Sequence, residues 1–358
     1  MVKKQGLQMV SVVILADDLT GALDSAVCFA NRGMSTVVAG TVDAFAEALQ
    51  SGCDVVAVST SSREISAELA RQKITEALGC MCFDPPVLMK KVDSRLKGNI
   101  KAELDVFWEK KLKRNMFVCP AVPSQGRLVE GGRIVGNGVT EPIDISEILP
   151  GDFPSDSIAN AQNLSDIVVA LPLKLEDCLF VGAAGLAEAL AIRLRPEMSP
   201  RQPIALPAPA LFAIGSRDPI TKAQIDKIRS VCDIVEAPNG QNLHGPGTDR
   251  QHDGKVTIVE MVAGNETVSG TEAGRAFSSG IVREIRRNVP ATLLACGGET
   301  AAAILNEAGM KFLTVKGEVL PGMPFAETVL NNQKITVVTK SGGFGTEDTF
   351  QNVLSLIA

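Results

Sequence analysis

Histidine is almost absent from this chain: it occurs twice, as His244 and His252, both in one polar stretch. Tyrosine does not occur and tryptophan occurs once. So little imidazole argues against Ser-His-Asp and Cys-His mechanisms. The dearth of aromatics removes the stacking platforms on which bases and large sugars are held. The eight cysteines contain no CxxC, with Cys80-Met81-Cys82 the only close pair, so there is no zinc signature. No segment approaches the ~20 apolar residues of a membrane span. There is no GxxxxGK[ST], no GxGxxG after the first strand of either half, and no protein-kinase motif set. These absences exclude a P-loop enzyme and leave a dinucleotide-dependent dehydrogenase without its fingerprint. A net charge of −6 supplies no basic face for nucleic acid, although an anionic substrate can still be met by a local basic pocket.

What is present is a chain of 358 residues, 45% hydrophobic and 21% charged, long enough for two globular domains. Cys28, Cys119, Cys178 and Cys296 lie within or beside apolar runs and read as small hydrophobes. The opening MVKKQGLQMVSVVILADD places two lysines before an apolar stretch, as signal peptides do. The stretch ends in Asp-Asp with no small-residue cleavage site, so a cytoplasmic protein is expected.

Apolar runs alternate with amphipathic stretches, the pattern of α/β folds. Strands are expected at 10–15, 36–39, 55–59, 87–91, 116–119 and 178–181, with helices at 21–32, 66–78, 100–110 and 186–194. Gly33 reads as a helix stop. Pro196, Pro200, Pro203, Pro207 and Pro209 fall close together and read as an interdomain linker. The alternation then restarts, with strands at 210–214, 234–235, 256–262, 292–295, 312–315 and 335–339 and helices at 221–231, 270–288 and 300–308. Residues 239–255 read as a loop or hairpin. The expected architecture is two α/β domains with largely parallel sheets facing across a cleft: 1–195, a linker at 196–209, and 210–358.

The first strand runs into Asp17 and Asp18, then Leu19-Thr20-Gly21 opens a helix. Ligands of open α/β sheets bind outside the carboxyl ends of the strands. One acid can cap the helix; the second, adjacent one asks for another role. A later strand end carries Lys90-Lys91-Val92-Asp93-Ser94-Arg95-Leu96-Lys97. Lysines suit a carboxylate, and Asp93 and Ser94 suit hydroxyls. Arg63, after the strand at 55–59, can clamp a carboxylate bidentately or pair with a surface acid. The second half has three strand-end glycine signals: Gly215-Ser216, Gly297-Gly298-Glu299-Thr300, and Lys340-Ser341-Gly342-Gly343. Glycine lets backbone approach a phosphate, and helix-opening N–H groups attract anions. Parallel strand ends converge on one rim, so three such loops together suggest a phosphate site.

In combination, ADDLTGALD, the Arg63 region, KKVDSRLKGN, VCPAVPSQGR, GAAGLAEALA, GSRDPITKAQ, GGETAA, GEVLPGMP and TKSGGFG resemble the four-carbon acid sugar kinase family. They occur in family order along essentially the whole chain. The stretch from Gly138 to Cys178 is shorter than the family pattern, and Gly215-Ser216 is followed by Arg217-Asp218 rather than small polar residues. The resemblance implies an N-terminal domain for the acid sugar, a C-terminal domain for ATP, and phosphorylation of the terminal hydroxyl of threonate, erythronate or a 3-oxo-tetronate. It implies substrate contacts from Asp17 or Asp18, Arg63, Lys91, Asp93 and Ser94. It implies ATP contacts from Ser216, Gly297, Gly298, Glu299, Thr300, Gly342 and Gly343.

Phosphoryl transfer needs positioning and charge neutralisation more than covalent chemistry. The expected base is Asp17, Asp18 or Asp93, with glycine-loop N–H groups and Mg²⁺ neutralising the phosphates, and no dedicated protein metal site. The expected partner is a small acid-sugar substrate, without nucleic acid or membrane; a homodimer is left open. The rival readings are a non-catalytic sugar-acid sensor, which need not keep a nucleotide site, and the dehydrogenase.

Overall fold

The computed structural model describes residues 10–151, 153, 157–198, 204–232, 234–241 and 256–358. His244, His252 and most of the expected loop at 239–255 lie outside the described residues. The chain divides into two compact units, Met1–Pro200 and Arg201–Ala358.

The first unit is built on β1 (Val12–Ala16), α1 (Leu19–Ala30), β2 (Thr36–Ala39), α2 (Val42–Ala48), β3 (Val55–Ser59), α3 (Ala67–Gly79), β4 (Val87–Lys91), α4 (Ile100–Glu109) and β5 (Asn115–Cys119). The hairpin strands β6 (Arg127–Glu130) and β7 (Arg133–Gly136) follow, with β8 (Ile143–Asp144), α5 (Leu164–Ala170), β9 (Cys178–Gly182) and α6 (Ala184–Leu194). The main sheet is parallel throughout, in the order β2-β3-β1-β4-β9-β5. VVILA, VVAVS and VLMKK are buried at every position, as strands covered on both faces must be. From β1 the chain passes to the outer β2, returns to β3 beside β1, and then crosses to β4 on the other side of β1. The β1/β4 boundary is therefore the topological switch point, where ligands of open sheets bind. Ala16 pairs in register with both Ser59 and Lys91, so β1, β3 and β4 end at one level. α1 stops as expected: Gly33 takes φ +77° and its N–H donates to Ala30 O at 2.9 Å.

The glycine-rich stretch after β5 is a small antiparallel sheet, β6-β7-β8, turning at Gly131-Gly132, both at positive φ. Its strands have only two to four residues, too few to show alternation in the sequence.

The second unit comprises β10 (Ala210–Ile214), α7 (Pro219–Ile228), β11 (Ile234–Pro238), β12 (Val256–Val262), α8 (Gly270–Arg287), β13 (Thr292–Cys296) and α9 (Gly298–Glu307). It ends with β14 (Phe312–Leu320), β15 (Met323–Leu330), β16 (Gln333–Lys340) and α10 (Thr349–Leu354). Five strands run parallel in the order β11-β12-β10-β13-β16, and β15 and β14 continue the sheet antiparallel. Phe212, Ile214, Leu294, Cys296, Val338 and Phe350 are among the buried residues of its core. Here too the chain switches sides, from β12 on one flank of β10 to β13 on the other. Ile214 pairs with Cys296, and Cys296 with Lys340, so Gly215, Gly297 and Ser341 emerge at one level. The end of the expected linker is part of this unit: Leu206 bridges Ile357, and Pro209 O accepts from Ala291 N and Thr292 N. Among the described residues, no helix is long and apolar enough to cross a membrane.

Candidate functional site

Three loops meet at the switch point of the first unit. Asp17 follows β1 and is 1% exposed. Arg63, in the loop after β3, donates from Nε to Asp17 Oδ2 and from Nη2 to Asp17 Oδ1, each at 2.8 Å. Its Nη1 donates to Asp18 Oδ2 at 2.7 Å and lies 4.0 Å from Asp93 Oδ2. Burial opposes the charge of Asp17, but the Arg63 hydrogen bonds and the charges of Lys90, Arg63 and Lys91 outweigh it and hold the carboxyl below its ordinary range. The same acids raise the guanidinium of Arg63 further against the cost of its burial.

Asp18 is the N-cap of α1: Oδ1 accepts from Gly21 N at 2.7 Å and Oδ2 from Thr20 Oγ1 at 3.0 Å. Asp93 is engaged on one side only. Oδ1 accepts from Arg95 N at 2.9 Å and from Lys97 N at 3.5 Å. Among the described residues no hydrogen bond reaches Asp93 Oδ2. The three acids therefore differ: Asp17 is fully bound, Asp18 shares both oxygens with the protein, and Asp93 keeps one oxygen without a hydrogen bond, at ion-pair distance from Arg63.

Lys90 and Lys91 end β4 and point to opposite faces. Lys90 Nζ lies 2.9 Å from Glu103 Oε2, both side chains at 0% exposure, close but not aligned for a hydrogen bond. Ser62 donates to Glu103 Oε1, Thr60 and Ser62 share a hydroxyl contact at 2.7 Å, and Thr60 Oγ1 donates to Ala16 O at 2.9 Å. This buried network ties the ends of β1, β3 and β4 to α4 beneath the acids. Lys91 is 6% exposed and its Nζ donates to Val92 O at 2.8 Å. A carbon added to Gly21 would fall 2.9 Å from that ammonium, so Lys91 lies against the first turn of α1. Among the described residues no carboxylate stands within ion-pair distance of it. A buried cation lacking a counter-charge is costly unless a ligand supplies one. Ser94 is buried and accepts from Arg127 Nη1 at 2.5 Å, which leaves its own hydroxyl proton available.

The second unit's rim is made of backbone. Gly215 N donates to Cys296 O at 3.0 Å and Gly297 N to Lys340 O at 2.8 Å, stitching the three strand ends together. A Cβ on Gly215 would sit 2.0 Å from Thr300 Oγ1, and one on Gly342 would sit 2.1 Å from Ser216 Oγ. Gly297 takes φ +108° as the N-cap of α9, which leaves the first N–H groups of that helix aimed out of the rim. Glu299 lies exposed in the first turn and Thr300 is buried. Asp218 caps α7 through Oδ1, which accepts from Ile220 N at 2.9 Å, and a Cβ on Gly343 would sit 3.1 Å from its Oδ2.

Lys340, 1% exposed, holds the last loop from beneath. Its Nζ donates to Ser341 O and Gly342 O, each at 3.1 Å, and to Thr221 Oγ1 at 3.3 Å, and it stands 5.5 Å from the Phe350 ring centre. Burial pulls the ammonium below its ordinary range, partly offset by Cys296 and Asp218. Thr221 Oγ1 donates to Gly342 O at 2.6 Å, and Gln224 Nε2 to Phe344 O and Thr346 O at 3.0 and 2.9 Å. With their carbonyls turned inward, the peptides after Ser341 and Gly342 present their N–H groups to the other side, the arrangement of an anion-binding nest.

Asp17, Asp18, Arg63, Lys91, Asp93 and Ser94 are thus brought to one rim, and Ser216, Gly297, Gly298, Glu299, Thr300, Gly342 and Gly343 to another. Sequence reasoning missed Arg127, Asp218 and the Lys90–Glu103 pair as parts of these rims, and named Lys340 only as the start of a glycine loop, without its role beneath it. Lys340 had a signal, a lysine ending an apolar strand before a glycine run. Glu103 had none beyond its place on the inner face of α4.

Two family models match the chain: a sugar-binding N-terminal domain over residues 12–148 and a nucleotide-binding C-terminal domain over residues 248–350. The D-threonate kinase of Cupriavidus necator is 29% identical, over 94% of this chain and 95% of its own. The D-threonate kinase of Salmonella typhimurium is 26% identical over 97% and 98%, and the 3-oxo-tetronate kinase of Burkholderia multivorans 24% over 95% and 96%. A solved structure from Salmonella typhimurium LT2 superposes with a TM-score of 0.78 at 20% identity, covering 97% of this chain and 99% of that one, and so supports the fold.

Proposed function

The chain belongs to the four-carbon acid sugar kinase family, and we propose that it transfers the terminal phosphoryl group of ATP to the 4-hydroxyl of threonate, erythronate or a 3-oxo-tetronate. The observation that carries this reading is Asp93: a carboxylate with one oxygen that accepts no hydrogen bond among the described residues, at the switch point of a sugar-binding unit, beside Lys91, Arg95 and Arg127, which have no acid at ion-pair distance there.

In this reading Asp93 Oδ2 accepts the proton of the substrate hydroxyl as that oxygen bonds to the phosphorus and the bond to the departing ADP oxygen breaks. Asp17, bound on both oxygens by Arg63 and held ionised, is a poor proton acceptor. It fixes Arg63, whose Nη1 in turn orients Asp18 and Asp93. Lys91 and the first turn of α1 offset the negative charge gathered at the reacting end. Ser94 uses its free proton to bind a substrate hydroxyl.

The glycine cradle fits the phosphates of ATP: Gly215 and Gly342 have no room for a side chain, and α9 and the loop after Lys340 turn N–H groups outward. Among the described residues no group of three or more His, Cys, Asp or Glu could hold a metal. In this reading Mg²⁺ would be held chiefly by phosphate oxygens and water, with Asp218 and Glu299 the acids at this rim able to add a ligand. When bound, Mg²⁺ supplies charge neutralisation on the phosphates.

The test is ADP release from Mg-ATP with D- and L-threonate, D- and L-erythronate and their 3-oxo forms. Turnover of one of these, with D-threonate tried first because three relatives matched along 94% or more of their length are D-threonate kinases, supports the proposal. ATP binding without turnover of any of them moves the substrate outside the four-carbon acids. Binding of an acid sugar but not of ATP would favour a sensor.

A further inference from the structure

We infer that Arg127 and Arg95 form a carboxylate subsite in the first unit that seats the acid end of the substrate, an assignment that rests on the acid-sugar reading above. The two side chains border one turn. Arg127 opens β6, where its backbone is fixed by paired bonds with Val122 at 2.9 and 3.2 Å. Its Nε donates to Asn137 O at 3.2 Å and its Nη1 to Ser94 Oγ at 2.5 Å. Arg95, next to Ser94 in sequence, reaches the residue after Asn137: a side chain begun on Gly138 would lie 3.8 Å from Arg95 Nη1.

Among the described residues, neither guanidinium has a carboxylate within ion-pair distance. The Nη2 group of Arg127 and the whole guanidinium of Arg95 have no hydrogen-bond partner there either. Burial and the charge of Arg95 both lower the affinity of Arg127 for its proton, and Asp93 only partly offsets them. Two half-buried like charges facing one turn are stable together when an anion bridges them, and the planar fork of arginine matches a carboxylate. Asp93 lies close enough to weigh against a dianion, which favours a carboxylate over a phosphate.

This assignment gives the substrate a direction. Its acid end lies at Arg127 and Arg95, its middle hydroxyls at Ser94, and its reacting hydroxyl at Asp93. Lys91, a candidate for the carboxylate from sequence alone, is left for the reacting end.

The test compares D-threonate with D-threonamide, the same skeleton without the charge. Calorimetric titration of the full chain should show tighter binding of the acid than of the amide. In Arg127→Gln the affinity for D-threonate should fall about 10- to 100-fold, the range expected for a hydrogen bond to a charged group, with the amide unchanged. Arg95→Gln should show a smaller loss of the same kind, and Arg127→Lys should recover part of it. The subsite is overturned if both ligands weaken equally, if D-threonate binds Arg127→Gln as it binds the parent, or if the parent prefers neither ligand. Selective D-threonate binding without ADP formation would instead overturn the phosphoryl-transfer reading and leave the subsite standing.

Discussion

The rim of the first unit is made of side chains and that of the second of backbone. Asp17, Asp18, Arg63, Lys91 and Asp93 are ionisable groups at or beyond the ends of parallel strands, and Arg127, ionisable too, opens the antiparallel strand β6. Gly215 and Gly297, whose own N–H groups join the strand ends, contribute room, and the N–H donors come from the first turn of α9 and the loop after Lys340. Both sit at a switch point, where strands in register end at one level. On the proposed function, the difference matches what each rim would bind. A small hydroxylated acid is told from its isomers by groups aimed at individual atoms. A chain of phosphates is bound by many equivalent donors, which helix N-termini and glycine loops supply without side-chain entropy.

Substitutions should separate the two rims. The largest effect is expected at Asp93. Asp93→Asn should lower kcat about 10²- to 10⁴-fold, the usual worth of a general base, with ATP affinity unchanged; steady-state kinetics and nucleotide titration check it. Next is Arg63→Met, which leaves Asp17 buried without the two hydrogen bonds its carboxylate accepts from Arg63. About 3 kcal/mol of stability should be lost, read by urea unfolding. Gly342→Ala forces a carbon to within 2.1 Å of Ser216 Oγ. About 1–3 kcal/mol should be lost from ATP binding and none from acid-sugar binding.

Lys340→Met should raise KM for ATP about tenfold, near the lower end for hydrogen bonds to a charged group, and leave KM for the acid sugar alone. In the parent protein, KM for ATP should begin to rise with pH below the ordinary lysine value of about 10.4, because burial lowers Lys340. The smallest effect is confined to acid. Asp17 titrates in the folded chain below its unfolded value of about 3.9, so the native state binds fewer protons there. Its contribution is complete above that value and is lost as pH falls through the lowered folded one. The stability gap between the parent and Asp17→Asn should therefore be constant from pH 7 to about 5 and shrink below about 4.

The two rims were also unequally legible. Strand ends marked by Asp17-Asp18, by Lys91-Val92-Asp93 and by Gly297-Gly298 can be read directly, because a buried parallel strand is an unbroken apolar run. The glycine cradle was legible residue by residue, since its donors are backbone and glycine is the only requirement. The charged rim was legible in membership but not in role. Nothing in the sequence says that Arg63 is bound by Asp17 or that Asp93 keeps an oxygen without a hydrogen bond, since those depend on loop geometry across some 30 to 80 residues of chain. Arg127 is a harder case, because its hairpin is short and its partner Ser94 lies 33 positions away. β15 was hidden by Pro324 near its start, although Asn331-Asn332, both at positive φ, is a two-residue hairpin turn that could have revealed it.

The division of labour is tested most directly by titrating ATP and D-threonate separately into Arg127→Gln and Gly342→Ala. The account predicts that Arg127→Gln weakens D-threonate alone and Gly342→Ala weakens ATP alone. Loss of D-threonate binding in Gly342→Ala, or of ATP binding in Arg127→Gln, with both variants folded, would contradict it.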